Sequence, residues 1–192
     1  LSYVLEQPQT WILAHPEAVL STAQRAELTA LVARLKQGEP LPYLTGRQEF
    51  FGLSFEVSPA VLIPRPETEL LVETALRWLR SHPAPNSAVD VGTGSGCIAV
   101  SLAVNTSTLH IVATDISAEA LAIAQRNAQT HHVEDRITFQ EADLISAELG
   151  QFDLICANLP YVPTSRLATV NSLPYEPALA LDGGPDGLEL IK

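Results

Sequence analysis

Asn158-Leu159-Pro160-Tyr161 brings together a side-chain amide, backbone carbonyls and an aromatic ring. Such a set can grip a flat group that bears an NH2. A second set lies upstream. Gly92-Thr93-Gly94-Ser95-Gly96 follows Asp90 and precedes an apolar run. Glycines let backbone N–H groups approach a ligand closely where a helix begins. Cys97 stands where a dinucleotide fingerprint wants its third glycine. The spacing therefore suits a nucleoside without a pyrophosphate. Asp115 follows the loop by about 20 residues, the interval expected of a carboxylate that accepts both ribose hydroxyls. Asp143 can accept an adenine amino hydrogen. Each position also has a plainer reading: a structural turn for the glycines, a helix cap for Asp115, an exposed turn for Asp143, and Asn-x-Pro turn chemistry for Asn158.

These residues need a scaffold that aims them at one place. Phe152–Ala157 is a short apolar run that reads as a strand buried on both faces and central in a sheet. Pro160 cannot donate to a ladder, so the strand stops before it. Leu159, preceding a proline, is held extended. Residues 88–91, 109–115 and 136–140 read as further strands, and 97–103 and 117–127 as helices. The alternation predicts right-handed crossovers and a doubly wound, mostly parallel α/β sheet. The glycine loop, Asp115, Asp143 and Asn158 then all fall at strand carboxyl ends, where open sheets bind ligands.

Upstream, residues 1–40 read as a small helical domain. Ser21 and Gln24 form a capping-box pattern, and Leu28, Leu31, Val32 and Leu35 keep helical spacing. Gly38 and Pro40 end that helix. Trp11 is expected to anchor a core. Residues 41–65 are read as a linker with a β-hairpin over Gln48–Val57. Pro66 and the following acidic residues suit the first turn of a helix. Residues 66–192 complete the main domain, with a turn-rich stretch from Tyr175 and a helix starting at Gly187. In this strand order the Phe152 strand falls at the sheet edge, yet it is apolar for an edge. Further strands are therefore expected beyond it, and the sequence reads as a fragment. It also lacks an initiating Met.

Lys and Arg number 11 against 22 Asp and Glu, a net charge of -11. This argues against a surface built mainly to hold nucleic-acid backbone or to bind it stably. The 192 residues, 46% of them hydrophobic, suffice for one good core. Cys97 and Cys156 read as buried free thiols of a reducing compartment, here the cytoplasm. No run reaches the roughly 18 apolar residues of a membrane helix, and no metal-ligand set is read.

The chain resembles the HemK/PrmC family of protein-(glutamine-N5) methyltransferases that act on peptide-chain release factors. The matching pieces are Phe51-Gly-Leu-Ser-Phe55, Leu62-Ile-Pro-Arg-Pro-Glu-Thr-Glu69, Asp90–Gly96, Asp115-Ile-Ser117, Asn158–Tyr161 and Tyr175–Gly184. Leu159 replaces the first proline of the family's usual Asn-Pro-Pro-Tyr. The resemblance implies a class I S-adenosylmethionine-dependent, Rossmann-like fold and S-adenosylmethionine as donor. The acceptor it implies is the glutamine of a Gly-Gly-Gln motif in a class 1 release factor. It assigns Gly92, Thr93, Gly94, Ser95, Gly96, Asp115, Asp143, Leu144 and Asn158 to the cofactor. Asn158, Leu159, Pro160 and Tyr161 go to the substrate, with Asn158 and Tyr161 catalytic. It also makes the loop carrying Arg65 and Glu67 a lid over the ligand, where composition alone favours a solvated loop. An adenine-N6 DNA methyltransferase would use the same Asn-x-Pro-Tyr logic. A module that binds the nucleoside and a partner without turnover is a third possibility.

Overall fold

The structure, a computed structural model, describes residues 1–82, 86–145, 150–169 and 175–191. The chain divides into two compact units, Leu1–Thr45 and Gly46–Lys192.

The first unit contains α1 (Ser2–Leu5), α2 (Gln9–Ala14), α3 (Thr22–Lys36) and α4 (Leu41–Thr45). The capping box forms: Gln24 N–H donates to Ser21 Oγ at 3.2 Å, and Ser21 N–H donates to Gln24 Oε1 at 3.0 Å. Leu28 and Leu31 of α3 are half-buried, while Val32 and Leu35 are exposed. Trp11 departs from its expected role as a core anchor. The six-residue α2 offers too little surface to sink an indole. The ring instead stays half-buried and stacks on His15, one turn on, at 4.3 Å.

In the second unit, β1 (Arg47–Phe50) and β2 (Leu53–Glu56) pair antiparallel. Phe51 and Gly52 both take positive φ, the geometry a two-residue hairpin loop requires. Phe50 and Phe55 are buried edge to face, 6.0 Å apart. Asn127 of α7 (Ala118–Thr130) grips the end of this hairpin. Its Oδ1 accepts Glu56 N–H at 2.7 Å, and its Nδ2 donates to Glu56 O at 3.0 Å and to Ser95 O at 2.8 Å.

β3 (Ser87–Val91), β4 (His110–Asp115), β5 (Ile137–Glu141) and β6 (Leu154–Ala157) form a parallel sheet in the order β5-β4-β3-β6. The chain steps from β3 outward to β5, then returns to the other side of β3. That reversal makes a switch point between β3 and β6, where such sheets open a crevice. α5 (Pro66–Ser81) carries Pro66, Glu67 and Glu69 in its first turn and buries Thr68, Val72, Ala75, Leu76 and Leu79. α6 (Cys97–Asn105) is buried along Cys97–Ala103, as befits a helix apolar all round.

Two expectations are corrected here. The strand read over Phe152–Ala157 spans Leu154–Ala157, and it lies at the edge of the described sheet, where the strand order puts it. Burial on both faces is not found among the described residues: side chains alternate across the sheet, and Cys156 on one face is 4% exposed while Ile155 on the other is 60% exposed. The helix expected from Gly187 is instead a bend followed by a turn, with Ile191 N–H donating to Leu188 O at 3.0 Å. Gly187 takes positive φ and packs tightly on Tyr161 O and Pro163, which fixes it in the preceding loop. Lys192 lies outside the described residues.

Candidate active site

The glycine loop begins where β3 ends. Gly92, Gly94 and Gly96 all have positive φ. Two of them also need the space: a Cβ on Gly92 would sit 3.3 Å from Leu159 Cδ2, and one on Gly96 would sit 3.0 Å from Ala124 Cβ. Gly96 thus lets α7 pack close and leads directly into α6. Thr93 N–H donates to Thr114 O at 2.8 Å, which ties the loop to β4.

Asp90 is fully buried beneath this loop. Its Oδ2 accepts Thr93 Oγ1–H at 2.6 Å and Ala99 N–H at 3.2 Å, while Oδ1 has no partner. Burial pushes the carboxyl up from 3.8 to about 7, against the two hydrogen bonds, which favour the anion; the nearby Asp115 charge pushes it up further. Folding therefore draws a proton onto Asp90 between about pH 4 and pH 7. This group's stabilisation is complete below its unfolded value and is lost as pH rises through its folded value. Asp90→Asn keeps an acceptor oxygen and cannot titrate. Urea unfolding at pH 5 and pH 7.5 is expected to show the parent losing more stability than the variant across that interval. Equal losses would mean that Asp90 does not carry a proton in the folded protein.

At the end of β4, Asp115 is clamped at both oxygens. Gly94 N–H donates to Oδ2 at 2.8 Å and Ser117 N–H to Oδ1 at 2.9 Å. The remaining lone pairs of this fixed carboxylate are available to a diol. Ser117 caps α7 through its own hydroxyl, which accepts Ala120 N–H at 3.2 Å. The capping role is thus filled by Ser117, with Asp115 supporting it.

One cavity of about 360 Å³ gathers the ends of all four strands. Gly92, Thr93, Gly94 and Ser95 line it after β3, and Asp115 after β4. Asp143 and Leu144 line it after β5, and Asn158, Leu159 and Pro160 after β6. Apolar side chains such as Ile98, Ile116 and Leu179 complete its wall. Gly96 does not reach this cavity. Nor does Tyr161, which is 66% exposed and lines a neighbouring cavity of about 240 Å³. Thr68, Asn158 and Leu159 line both, so the two spaces share a wall.

Leu62 and Thr68, which pattern reading did not assign to a site, join the Arg65 and Glu67 loop in this wall. Asn158 Nδ2 donates to Thr68 Oγ1 at 3.2 Å. Leu62 belongs to both cavities, while Arg65 and Glu67 line the smaller one. Glu176, with no side-chain exposure, pairs with Arg65 at 2.5 Å and accepts Ile63 N–H at 3.1 Å. The tail is laced to the chain beyond Pro160: Val162 N–H donates to Leu181 O and Gly183 N–H to Val162 O, both at 2.9 Å. A Cβ on Gly183 would lie 2.8 Å from Pro160 O. The sequence signal was the concentration of Pro, Glu and Gly in residues 63–69 and 175–187.

The cavity suits S-adenosylmethionine. It offers a fixed carboxylate, a second carboxylate at Asp143, backbone N–H groups in a glycine loop, and an apolar slot. Residues 66–173 match the methyltransferase small domain, and residues 1–46 the PrmC N-terminal domain. A release factor glutamine methyltransferase from Koribacter versatilis is 43% identical over all of this chain, which covers 69% of that protein. One from Nitratidesulfovibrio vulgaris is 43% identical over 98% of this chain and is 65% covered. The chain thus spans about two thirds of the length of these relatives. Among solved structures, the hMettl16 catalytic domain in complex with the MAT2A 3'UTR hairpin 6 superposes with a TM-score of 0.57. At 19% identity over 73% of this chain and 54% of that one, the likeness is one of fold. Two domain matches in order, and similarity at this level from end to end, establish that the chain belongs to the release factor glutamine methyltransferase family, on a class I S-adenosylmethionine-dependent methyltransferase fold.

Proposed function

We propose that this protein methylates the side-chain amide nitrogen of the Gly-Gly-Gln glutamine in class 1 peptide-chain release factors, with S-adenosylmethionine as donor. The observation that carries the reading is Asn158. It stands on the wall between the two cavities, its amide nitrogen committed to Thr68 and its Oδ1 without a partner among the described residues. An amide oxygen in that position can accept an N–H of a glutamine entering the smaller cavity.

S-adenosylmethionine, when bound, supplies a methyl group on a positively charged sulfur. Asp115 would hold the ribose hydroxyls, Asp143 the adenine amino group, and Leu144 an adenine face, with residues 92–95 closing over the remainder. An amide nitrogen is a poor nucleophile because its lone pair is delocalised. Asn158 Oδ1 accepts one of its hydrogens and the Leu159 carbonyl the other. Both bonds place negative potential beside the nitrogen and aim its lone pair at the larger cavity. Pro160 stiffens the loop that carries that carbonyl, and Tyr161 packs on the amide plane. Rate then comes mainly from orientation, which can contribute about 7–11 kcal/mol. The buried free thiols Cys97 and Cys156 support a cytoplasmic location. No helix among the described residues is long and apolar enough to cross a membrane.

Mass spectrometry of a class 1 release factor incubated with the protein and S-adenosylmethionine tests the reading. One added methyl on the Gly-Gly-Gln glutamine is expected. Cofactor binding without that methyl, or methyl transfer to adenine in duplex DNA instead, would overturn it.

A further inference from the structure

Thr68 is the one residue of the α5 first turn that is buried, 8% exposed, and it lies 90 residues from Asn158 in sequence. Its hydroxyl accepts Asn158 Nδ2–H at 3.2 Å. A primary amide has two chemically opposite ends, and an unrestrained one can rotate to offer either. Presented NH2 first, Asn158 would meet the NH2 of an incoming amide donor to donor. Presented oxygen first, it accepts. Thr68 itself is held by helix geometry, with its N–H donating to Arg65 O at 3.0 Å. The loop before it is fixed in turn by buried Glu176, through Ile63 N–H and the Arg65 guanidinium.

We infer that Thr68 is a positioning residue: by accepting Asn158 Nδ2–H its hydroxyl fixes the amide and leaves Oδ1 to face the acceptor nitrogen. The inference rests on the function proposed above, but its structural half can be read without it. Thr68 touches Asn158 and need not touch the reacting atoms. Thr68→Val keeps the shape and removes the hydroxyl; Thr68→Ser keeps the hydroxyl.

The first test follows the Asn158 side-chain NH2 resonances in the cofactor-free protein by 15N-resolved NMR. In the parent these hydrogens are expected to exchange slowly with water. In Thr68→Val they are expected to shift and exchange faster, and in Thr68→Ser to return to the parental pattern. The second test measures methyl transfer to a release factor. Thr68→Val is expected to lower kcat about 10- to 100-fold, because an amide turned away from its working orientation loses both alignment and a hydrogen bond. The release factor KM and the S-adenosylmethionine Kd are expected to stay close to parental values, and Thr68→Ser to restore kcat. Thr68→Ala replaces Val should the latter not fold.

Fast-exchanging Asn158 NH2 hydrogens in the parent would mean that Thr68 does not hold the amide and would overturn the inference. So would parental turnover in Thr68→Val, or a Thr68→Ser protein as impaired as Thr68→Val. If the NMR pattern is as expected but the parent leaves the glutamine unmodified, the proposed function fails while the holding contact stands.

Discussion

Asn158→Ala is expected to lower kcat for release factor methylation by about 100- to 1000-fold, the loss found when one preorganised hydrogen-bonding group is removed from a reacting centre. The alanine leaves the acceptor nitrogen with the Leu159 carbonyl alone. One hydrogen bond can tether a nitrogen but cannot set its direction. Asn158 also touches the larger cavity, yet the proposed polar anchors of the cofactor, Asp115 and Asp143, stand on β4 and beyond β5. Cofactor affinity, measured by calorimetry on the same preparation, is therefore expected to change little. Single-turnover transfer at saturating cofactor reads the chemical step. Leu159→Pro separates the two acceptors, since it keeps the carbonyl of residue 159 in a segment that Pro160 already holds extended. It is expected to cost turnover far less than Asn158→Ala. Should a folded Leu159→Pro protein prove as inactive, the carbonyl has no part in the reaction. The Leu159 side chain, which packs toward Gly92, would then be what shapes the acceptor site.

Arg65→Ala is expected to destabilise the second unit by about 3 kcal/mol, the low end of the cost of removing one partner from a buried ion pair. The low end applies because the pair is asymmetric: Arg65 is 40% exposed on its side chain and Glu176 0%. Without Arg65, a carboxylate sealed from water keeps only the Ile63 N–H as a partner. Glu176→Gln leaves no buried charge, keeps an acceptor for Ile63, and frees a guanidinium that water can reach. It is expected to cost nearer 1 kcal/mol, the worth of an ordinary hydrogen bond. Urea unfolding of the three proteins at one pH measures both numbers. The asymmetry is the point at issue. If Glu176→Gln proves as costly as Arg65→Ala, the ion pair rather than the burial of the carboxylate dominates.

Much of the scaffold was legible in residue order alone. The strand, glycine loop and helix over 87–105 follow from an apolar run, three glycines and a second apolar run. The Ser21 capping box and the tight hairpin turn at Phe51-Gly52 depend on side chains within a few positions of one another. Local φ/ψ preference, periodicity and short-range capping decide such features, and all three are written in neighbouring residues. So is the stop that puts Asn158 at a strand end, since Pro160 has no N–H to extend the ladder.

The tertiary structure decided what those tips meet. Thr68 reaches Asn158 across 90 residues, and Glu176 reaches Ile63 and Arg65 across 113 and 111. In a helical pattern, Thr68 is merely a polar residue in a first turn, and Glu176 merely a charge in a proline-rich loop. Asn127 looks like a surface position of α7, yet it is 1% exposed and binds both the hairpin and the glycine loop. The apolar run at 152–157 promised burial on both faces, but burial depends on which elements pack over each face, and Ile155 is 60% exposed among the described residues. Periodicity states which way a side chain leaves its own element. It carries no information on which distant element arrives there, and a hydroxyl 3.2 Å from an amide exists only once the sheet, α5 and the tail have packed together.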